Sequence, residues 1–197
     1  MINRARIAPP AGGVKPLYGT NPMAFAWPRP GGNPVVFDQA SAVMARGEVM
    51  IAARDGHTLP PGAGIGPDGQ PTTDPNEVLK GALLPFGGYK GASLAMMIEL
   101  LAGPLLGESL SIEAAETDRP DGGPPRGGEF ILAIDPTATR GDPAWVTHAE
   151  RLFTEIASQE GARLPGLGRA ARRAKIAKQG IEIAEDRLAS LKALSEA

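Results

Sequence analysis

Hydrophobic positions along this chain fall into short runs and helix-spaced sets that take turns, so strand and helix signals alternate. Leu17 to Trp27 carries Tyr18, Met23, Phe25 and Trp27 and reads as a strand broken by Gly19-Thr20-Asn21-Pro22. Such a polar break is a bulge, a ligand contact or a simple turn. Pro34 to Asp38 reads as a short buried strand ending in a carboxylate. Ser41 is the expected cap of a helix through Val43, Met44, Val49, Met50 and Ala53, stopped at Asp55-Gly56. Residues 57–76 are a Pro/Gly-rich excursion with a turn at Pro67-Asp68-Gly69-Gln70. Asp74 then caps a short helix with Pro75 at its first position.

A glycine-rich turn, Leu84-Pro85-Phe86-Gly87-Gly88-Tyr89-Lys90-Gly91, runs into the most apolar helix of the chain. Leu94, Met97, Ile98, Leu101 and Leu105 recur at helical spacing, and Ala95, Met96 and Leu100 make its other faces apolar, which predicts a helix central to the core. Glu99 is a lone carboxylate on it, typical of a rim residue or a paired structural group. Glu108 to Arg126 reads as a loop, and Glu129-Phe130-Ile131-Leu132-Ala133-Ile134-Asp135 is the strongest strand signal in the chain. Asp142-Pro143 opens an amphipathic helix with Trp145, Ala149, Leu152, Phe153 and Ile156 on one face, ended by Gly161. A second glycine-rich turn, Leu164-Pro165-Gly166-Leu167-Gly168, leads into a basic run ended by Gly180, and Ile183 to Leu194 is a last amphipathic helix. The alternation predicts an α/β or α+β sheet protein.

Composition narrows the class. The chain has 197 residues, with 42% hydrophobic and 21% charged, the balance of a globular protein. With 26 Gly and 20 Pro, tight turns and long loops are expected rather than a helical bundle. A net charge of −2 gives no global case for nucleic acid. The absence of cysteine excludes disulfides, thiolate metal sites and a cysteine nucleophile, and fits a cytoplasmic setting. No apolar run is long enough to cross a bilayer, and Met1-Ile2-Asn3-Arg4 has no signal-peptide core behind it.

Three stretches carry candidate chemistry. Gly87, Gly88 and Gly91 free the backbone for close approach while Lys90 adds a cation beside a helix start, where anions bind; a plain loop with a solvated lysine is the other reading. Asp38 ends a strand, and Arg46-Gly47-Glu48 follows it mid-helix. A glycine there costs about 1 kcal/mol, which points to a close approach or to a tolerated exposed face. The run Arg163, Arg169, Arg172, Arg173, Lys175 and Lys178 meets phosphates or is a solvated face. His57 and His148, the only histidines, have no acid at triad or metal spacing, so no metal site is expected.

Together these stretches resemble the type-2 malate/L-lactate dehydrogenase family. The likeness rests on Gly19 to Ala26, Val36-Phe37-Asp38-Gln39-Ala40-Ser41, Met44-Ala45-Arg46-Gly47-Glu48, Leu84 to Gly91 and Arg163-Leu164-Pro165-Gly166, in that order. Ala45-Arg46-Gly47-Glu48 looks most like the branch that reduces Δ1-piperideine-2-carboxylate and Δ1-pyrroline-2-carboxylate. The resemblance implies an α/β fold with a mixed β-sheet flanked by helices and a non-Rossmann site for NAD or NADP. It implies reduction of a 2-keto acid or cyclic imino acid, no nucleic acid or membrane partner, and a homodimer in the full-length family. It assigns cofactor contacts to Asp38, Gln39, Ala40, Arg46, Gly47, Tyr89, Lys90, Gly91, Arg163, Pro165, Gly166 and Arg169, and substrate contact to Thr20. Glu48 is implied to orient a catalytic histidine.

Two departures qualify the resemblance. The family's N-terminal helical region, with its catalytic Ser-His pair and substrate-binding arginines, finds no match here, and neither His57 nor His148 corresponds to it. The turn Pro165-Gly166-Leu167-Gly168-Arg169 keeps only the second of two usual arginines. The expectation is therefore a dinucleotide-binding portion over 1–162 and a C-terminal helical segment over 163–197, truncated and impaired in turnover. The alternatives are a non-catalytic dinucleotide-binding remnant or interaction module and, through the basic run, a nucleic-acid binder.

Overall fold

A computed structural model of the protein describes residues 7–117, 127–139 and 142–195. Strands β1 (Met23–Trp27) and β2 (Val35–Gln39) pair in a two-stranded sheet. Helix α1 (Arg46–Asp55) follows, then β3 (Gly64–Ile65) and β4 (Pro71–Thr72), helix α2 (Pro75–Lys80) and β5 (Ala82–Leu83). The second sheet has the order β4-β3-β5, antiparallel throughout, with Gly64 opposite both Thr72 and Leu83. Next come α3 (Tyr89–Ala102), a 3-10 turn at Pro104–Leu106, α4 (Ser111–Glu116), α5 (Pro136–Thr139), α6 (Ala144–Ala157), α7 (Leu167–Gln179) and α8 (Glu185–Ser195). The class is α/β, with two small sheets among helices.

The chain divides into two compact units, Met1–Phe25 with Asp38–Asp135, and Ala26–Phe37 with Pro136–Ala197. In the first, Ile7, Ala42, Val49, Leu59, Ala63, Val78 and Leu83 form the apolar core, and α1 packs on α2. In the second, Val35, Phe153 and Leu164 are buried, with Trp27, Ala149, Ile156 and Leu167 against them. Arg29 lies over the Phe153 ring at 5.3 Å and donates to Glu150 at 2.8 and 2.6 Å. That pairing holds the Glu150 carboxyl below its usual range.

Several local expectations are met by visible chemistry. Asp74 accepts from the Asn76 N–H at 2.8 Å and Pro75 opens α2. Gly56 and Gly180 end α1 and α7 at positive φ. Others are corrected. The first helix starts at Arg46, so Gly47 is its second residue rather than mid-helix. Ser41 is buried elsewhere in the unit and does not cap it. Only Val35 of β2 is buried, and Asp38 is exposed. One side of α3 packs through Ala92, Ala95, Ile98 and Ala102, while Met96, Met97 and Leu100 face out. Within the expected 108–126 loop, α4 forms because the Glu113 carboxylate accepts from the Leu110 N–H at 2.8 Å; residues 118–126 lie outside the described residues. Glu129–Asp135 joins neither sheet among the described residues and is not a strand.

Candidate functional site

The turn before α3 is shaped by its own backbone. Gly87 and Gly88 sit at φ 57° and 63°, values glycine adopts without steric cost. The Phe86 N–H donates to Ser41 O at 3.0 Å, the Val43 N–H to Leu84 O at 3.0 Å, and the Gly91 N–H to Phe86 O at 2.9 Å. The first two bonds pin the turn against residues 41–43, and the third closes the turn on itself. Gly91 is buried: a Cβ there would stand 2.5 Å from Phe86 O and 2.7 Å from Ser41 O. Its glycine is therefore required by the chain's own packing. Tyr89 and Lys90 are exposed in the first turn of α3.

Two concavities flank Val43. One, of about 390 Å³, is lined by Pro9, Pro10, Leu84, Gly87, Gly88 and Tyr89 among others. The other, of about 320 Å³, is lined by Gln39, Ala40, Met44, Ala45 and Phe86. The structure thus brings Gln39, Ala40 and Tyr89 to neighbouring hollows, with Arg46 and Gly47 next in chain to Ala45. Sequence reasoning missed Val43, whose only signal is an apolar residue before a helix. At the start of α1 the Glu48 N–H donates to Ala45 O at 3.0 Å, while the Arg46 and Gly47 N–H groups make no bond among the described residues. A Cβ on Gly47 would meet nothing within 4 Å, so no protein packing accounts for that glycine. An open, Cβ-free surface beside free helix amides fits the phosphate or amide portion of a dinucleotide. Glu48 is exposed and accepts from the Ala45 N–H at 3.0 Å, closing the helix start on itself.

Behind the turn lies a buried polar network. Asn21 donates to Glu99 Oε2 at 2.7 Å and to Ala95 O at 2.9 Å. Glu99 also accepts from the Ser111 hydroxyl at 2.9 Å and from the Ser111 N–H. The Gly19 N–H donates to Ser111 Oγ at 2.9 Å, and the Ser41 hydroxyl to Asn21 O at 2.8 Å. Asn21, Ser41, Glu99 and Ser111 are all buried. Glu99 is thus the paired structural group that its position allowed. It also helps hold the nearby Tyr18 phenol protonated above its usual range, after desolvation, which contributes most.

Asn21 sits at φ 37° and precedes Pro22, a position biased toward extended backbone. Its Oδ1 is buried without a partner. The network holds this disfavoured conformation, and with it half-buried Thr20, whose carbonyl accepts from the Ser41 N–H at 2.8 Å.

The second unit carries its own turn. The Val36 N–H donates to Pro165 O at 3.4 Å, and Gly166, at φ 86°, lies so close to Val36 O that a Cβ would stand 2.9 Å from it. Leu167 and Gly168 open α7. Arg163, Arg169 and Arg172 line a hollow of about 480 Å³ there, and a Cβ on Gly168 would meet nothing within 4 Å. Among the described residues, His57 and His148 are exposed and neither side chain bonds to a carboxylate.

The chain is similar to known proteins over nearly its whole length. Residues 1–192 match the malate/L-lactate dehydrogenase family model. It is 48% identical over 187 residues to a Δ1-pyrroline-2-carboxylate reductase of Ancylobacter novellus, covering 94% of this chain and 55% of that protein. It is 48% identical over 189 residues to a Δ1-pyrroline-2-carboxylate/Δ1-piperideine-2-carboxylate reductase of Pseudomonas aeruginosa, covering 95% and 56%. The crystal structure of Δ1-piperideine-2-carboxylate reductase from Pseudomonas syringae pv. tomato superposes with a TM-score of 0.89 at 43% identity, covering 98% of this chain and 58% of that one. The chain therefore spans little more than half the length of these relatives. With a family match that runs from residue 1 to residue 192, it belongs to the malate/L-lactate dehydrogenase family.

Proposed function

We propose that this chain is the dinucleotide-binding part of an NAD(P)H-dependent oxidoreductase that reduces a cyclic imino acid of the Δ1-pyrroline-2-carboxylate or Δ1-piperideine-2-carboxylate type, or a 2-keto acid. The observation that carries it is Gly47, an uncrowded glycine at the start of α1 beside the hollow lined by Gln39, Ala40 and Ala45. The names of the two reductases that the chain matches at 48% identity support the substrate class. A bound nicotinamide would supply the hydride.

In this reading Asp38, Gln39, Ala40, Arg46 and Gly47 hold the cofactor with Tyr89 and Lys90, whose positive charge favours a phosphate. Gly91 serves by keeping the turn tight. Thr20 orients the substrate from its braced loop. Arg163, Pro165, Gly166 and Arg169 form an anion site of the second unit. Residues 1–162 carry the dinucleotide function and 163–197 a helical segment. A cytoplasmic homodimer is part of the same reading. No helix among the described residues is long and apolar enough to cross a membrane.

A second reading, a dinucleotide-binding module without catalysis, draws on two observations. Glu48 is engaged by the Ala45 N–H, and neither histidine has an acid partner among the described residues. Titration of NADPH and NADH fluorescence with the purified chain, followed by NADPH oxidation with Δ1-piperideine-2-carboxylate and pyruvate, tests both readings. The expected result is dinucleotide binding with little or no turnover, weakened about tenfold by Lys90→Ala, as loss of one charge-assisted contact requires. Failure to bind either cofactor overturns both readings; robust turnover overturns the second.

A further inference from the structure

Ser41 has the residue type of a helix cap, yet its three polar groups are engaged away from α1. Its hydroxyl donates to Asn21 O at 2.8 Å, its N–H donates to Thr20 O at 2.8 Å, and its carbonyl accepts from the Phe86 N–H at 3.0 Å. Ala42, next in chain, bridges antiparallel to Pro85. Ser41 is buried, so breaking any of these bonds leaves a polar group unpaired away from water. Its neighbours Ala40 and Ala42 line the hollow beside α1 together with Gln39 and Phe86, while Ser41 itself does not. One buried side chain and its peptide groups thus join three pieces of chain: the loop that carries Thr20, residues 39–43, and the turn at 84–91.

The loop that Ser41 holds is strained. Asn21 has φ 37°, precedes Pro22 and buries an Oδ1 that has no partner. Backbone of this kind persists where the surroundings over-determine it, and it collects where a set geometry is used. Asn21 is held from two directions. Its amide donates to Glu99 and to Ala95 O, and its carbonyl accepts from the Ser41 hydroxyl. Of these anchors, Ser41 belongs to the segment that forms the hollow; Glu99 and Ala95 lie on α3.

We propose that Ser41 is a positioning residue that links the hollow to the Thr20 loop, so that a dinucleotide seated against Gln39 and Ala40 also fixes Thr20. This link presupposes that the hollow takes a dinucleotide. Any opening of the loop that breaks the Ser41 bonds disturbs Ala40 and Ala42, which the ligand needs in place. A ligand bound only to the closed form slows such openings by up to about a hundredfold at a hundred times its Kd. The restraint therefore reaches a loop that does not itself line the hollow.

The test follows amide hydrogen exchange of the full chain by NMR with NADPH as the probe. In the wild type, saturating NADPH is expected to slow exchange of the Ser41, Phe86 and Gly19 amides by about tenfold or more. The Gly66 amide, which donates to Gln70 O in the β3–β4 turn, should not change. Ser41→Ala removes the bond to Asn21 O and keeps both backbone bonds. In this variant the slowing should be lost at Gly19 and retained at Phe86. Its NADPH affinity should fall about fivefold or more at a temperature where it is fully folded; a packing role alone would lower the melting temperature and leave that affinity unchanged. The wild-type measurement decides the matter even if the variant does not fold. No NADPH binding by the wild type overturns the dinucleotide reading and the link with it. Binding without slowing at Gly19, slowing there that persists in Ser41→Ala, or unchanged affinity of the folded variant overturns the link and leaves the dinucleotide reading standing.

Discussion

The two glycine-rich turns carry the same signal in sequence, small residues and a base ahead of a helix, but they are different physical objects. The turn at Gly87–Gly91 is braced from inside. Two backbone bonds tie it to residues 41–43, a third closes it on itself, and the Asn21–Glu99–Ser111 network is buried behind it. The turn at Pro165–Arg169 rests on the apolar cluster of Val35, Phe153 and Leu164, on one 3.4 Å bond from Val36, and on a helix with no buried residue. A glycine therefore means two things here. Gly91 is required by the protein's own packing, whereas Gly47 and Gly168, each second in its helix, face open space. Only the second kind points outward to a ligand.

The largest effect expected from this contrast is at Glu99. Glu99→Ala removes one of the two acceptors of the buried Asn21 amide and the acceptor of both Ser111 donors, a loss of at least about 3 kcal/mol at roughly 1–3 kcal/mol per lost bond. Thermal denaturation should show it as a fall of about 10 °C or more. Retention of the wild-type melting temperature would mean that the network does not brace the turn.

Next is a matched pair of glycines. Gly91→Ala forces a methyl into backbone atoms 2.5 and 2.7 Å away and is expected to cost about 1–3 kcal/mol, in line with overpacking. Gly168→Ala, with no atom within 4 Å, is expected to be neutral or to stabilise by up to about 1 kcal/mol through helix propensity. Urea denaturation of both variants decides whether the two turns differ as described.

The smallest effect concerns the pair Arg29–Glu150 in the second unit. Glu150 has its folded pKa lowered below 4.5 by the Arg29 hydrogen bond first and by its charge after opposing desolvation. A depressed carboxyl stabilises the fold above its unfolded pKa, and that contribution is lost as pH falls through the folded pKa. The stability gap between wild type and Glu150→Gln should be open at pH 7 and close as pH falls through the depressed folded range of the carboxyl, with the urea midpoints of the two proteins converging toward low pH. A gap that does not change with pH would show that the carboxylate's charge is not what matters there.

Much of this was legible from residue order alone, and the failures share a cause. Asp74-Pro75, Gly56 and Gly180 act within a few residues of themselves, so their caps and stops could be read directly. The start of α1 could not, since Ala45 offers no side-chain acceptor and the stabilising bond runs back from Glu48. The pattern of Glu129–Asp135 predicts a strand, but pairing depends on a neighbour that its own residues do not encode. The outward face of α3, with Met96, Met97 and Leu100, fails for the same reason. At the site, the turn, Gln39 to Gly47 and the arginine turn were visible as motifs. Glu99 looked like an isolated acid, because its partners Asn21 and Ser111 are 78 and 12 residues away.

The central claim is that the surface at the start of α1, beside Gln39 and Ala40, takes a nicotinamide dinucleotide. Gly47→Val tests it most directly, because a Cβ there meets no protein atom within 4 Å and the side chain enters the space a ligand would use. Fluorescence titration with NADPH should show at least a tenfold weaker affinity for the variant, with the melting temperature unchanged. Wild-type affinity in a folded Gly47→Val protein would contradict the account.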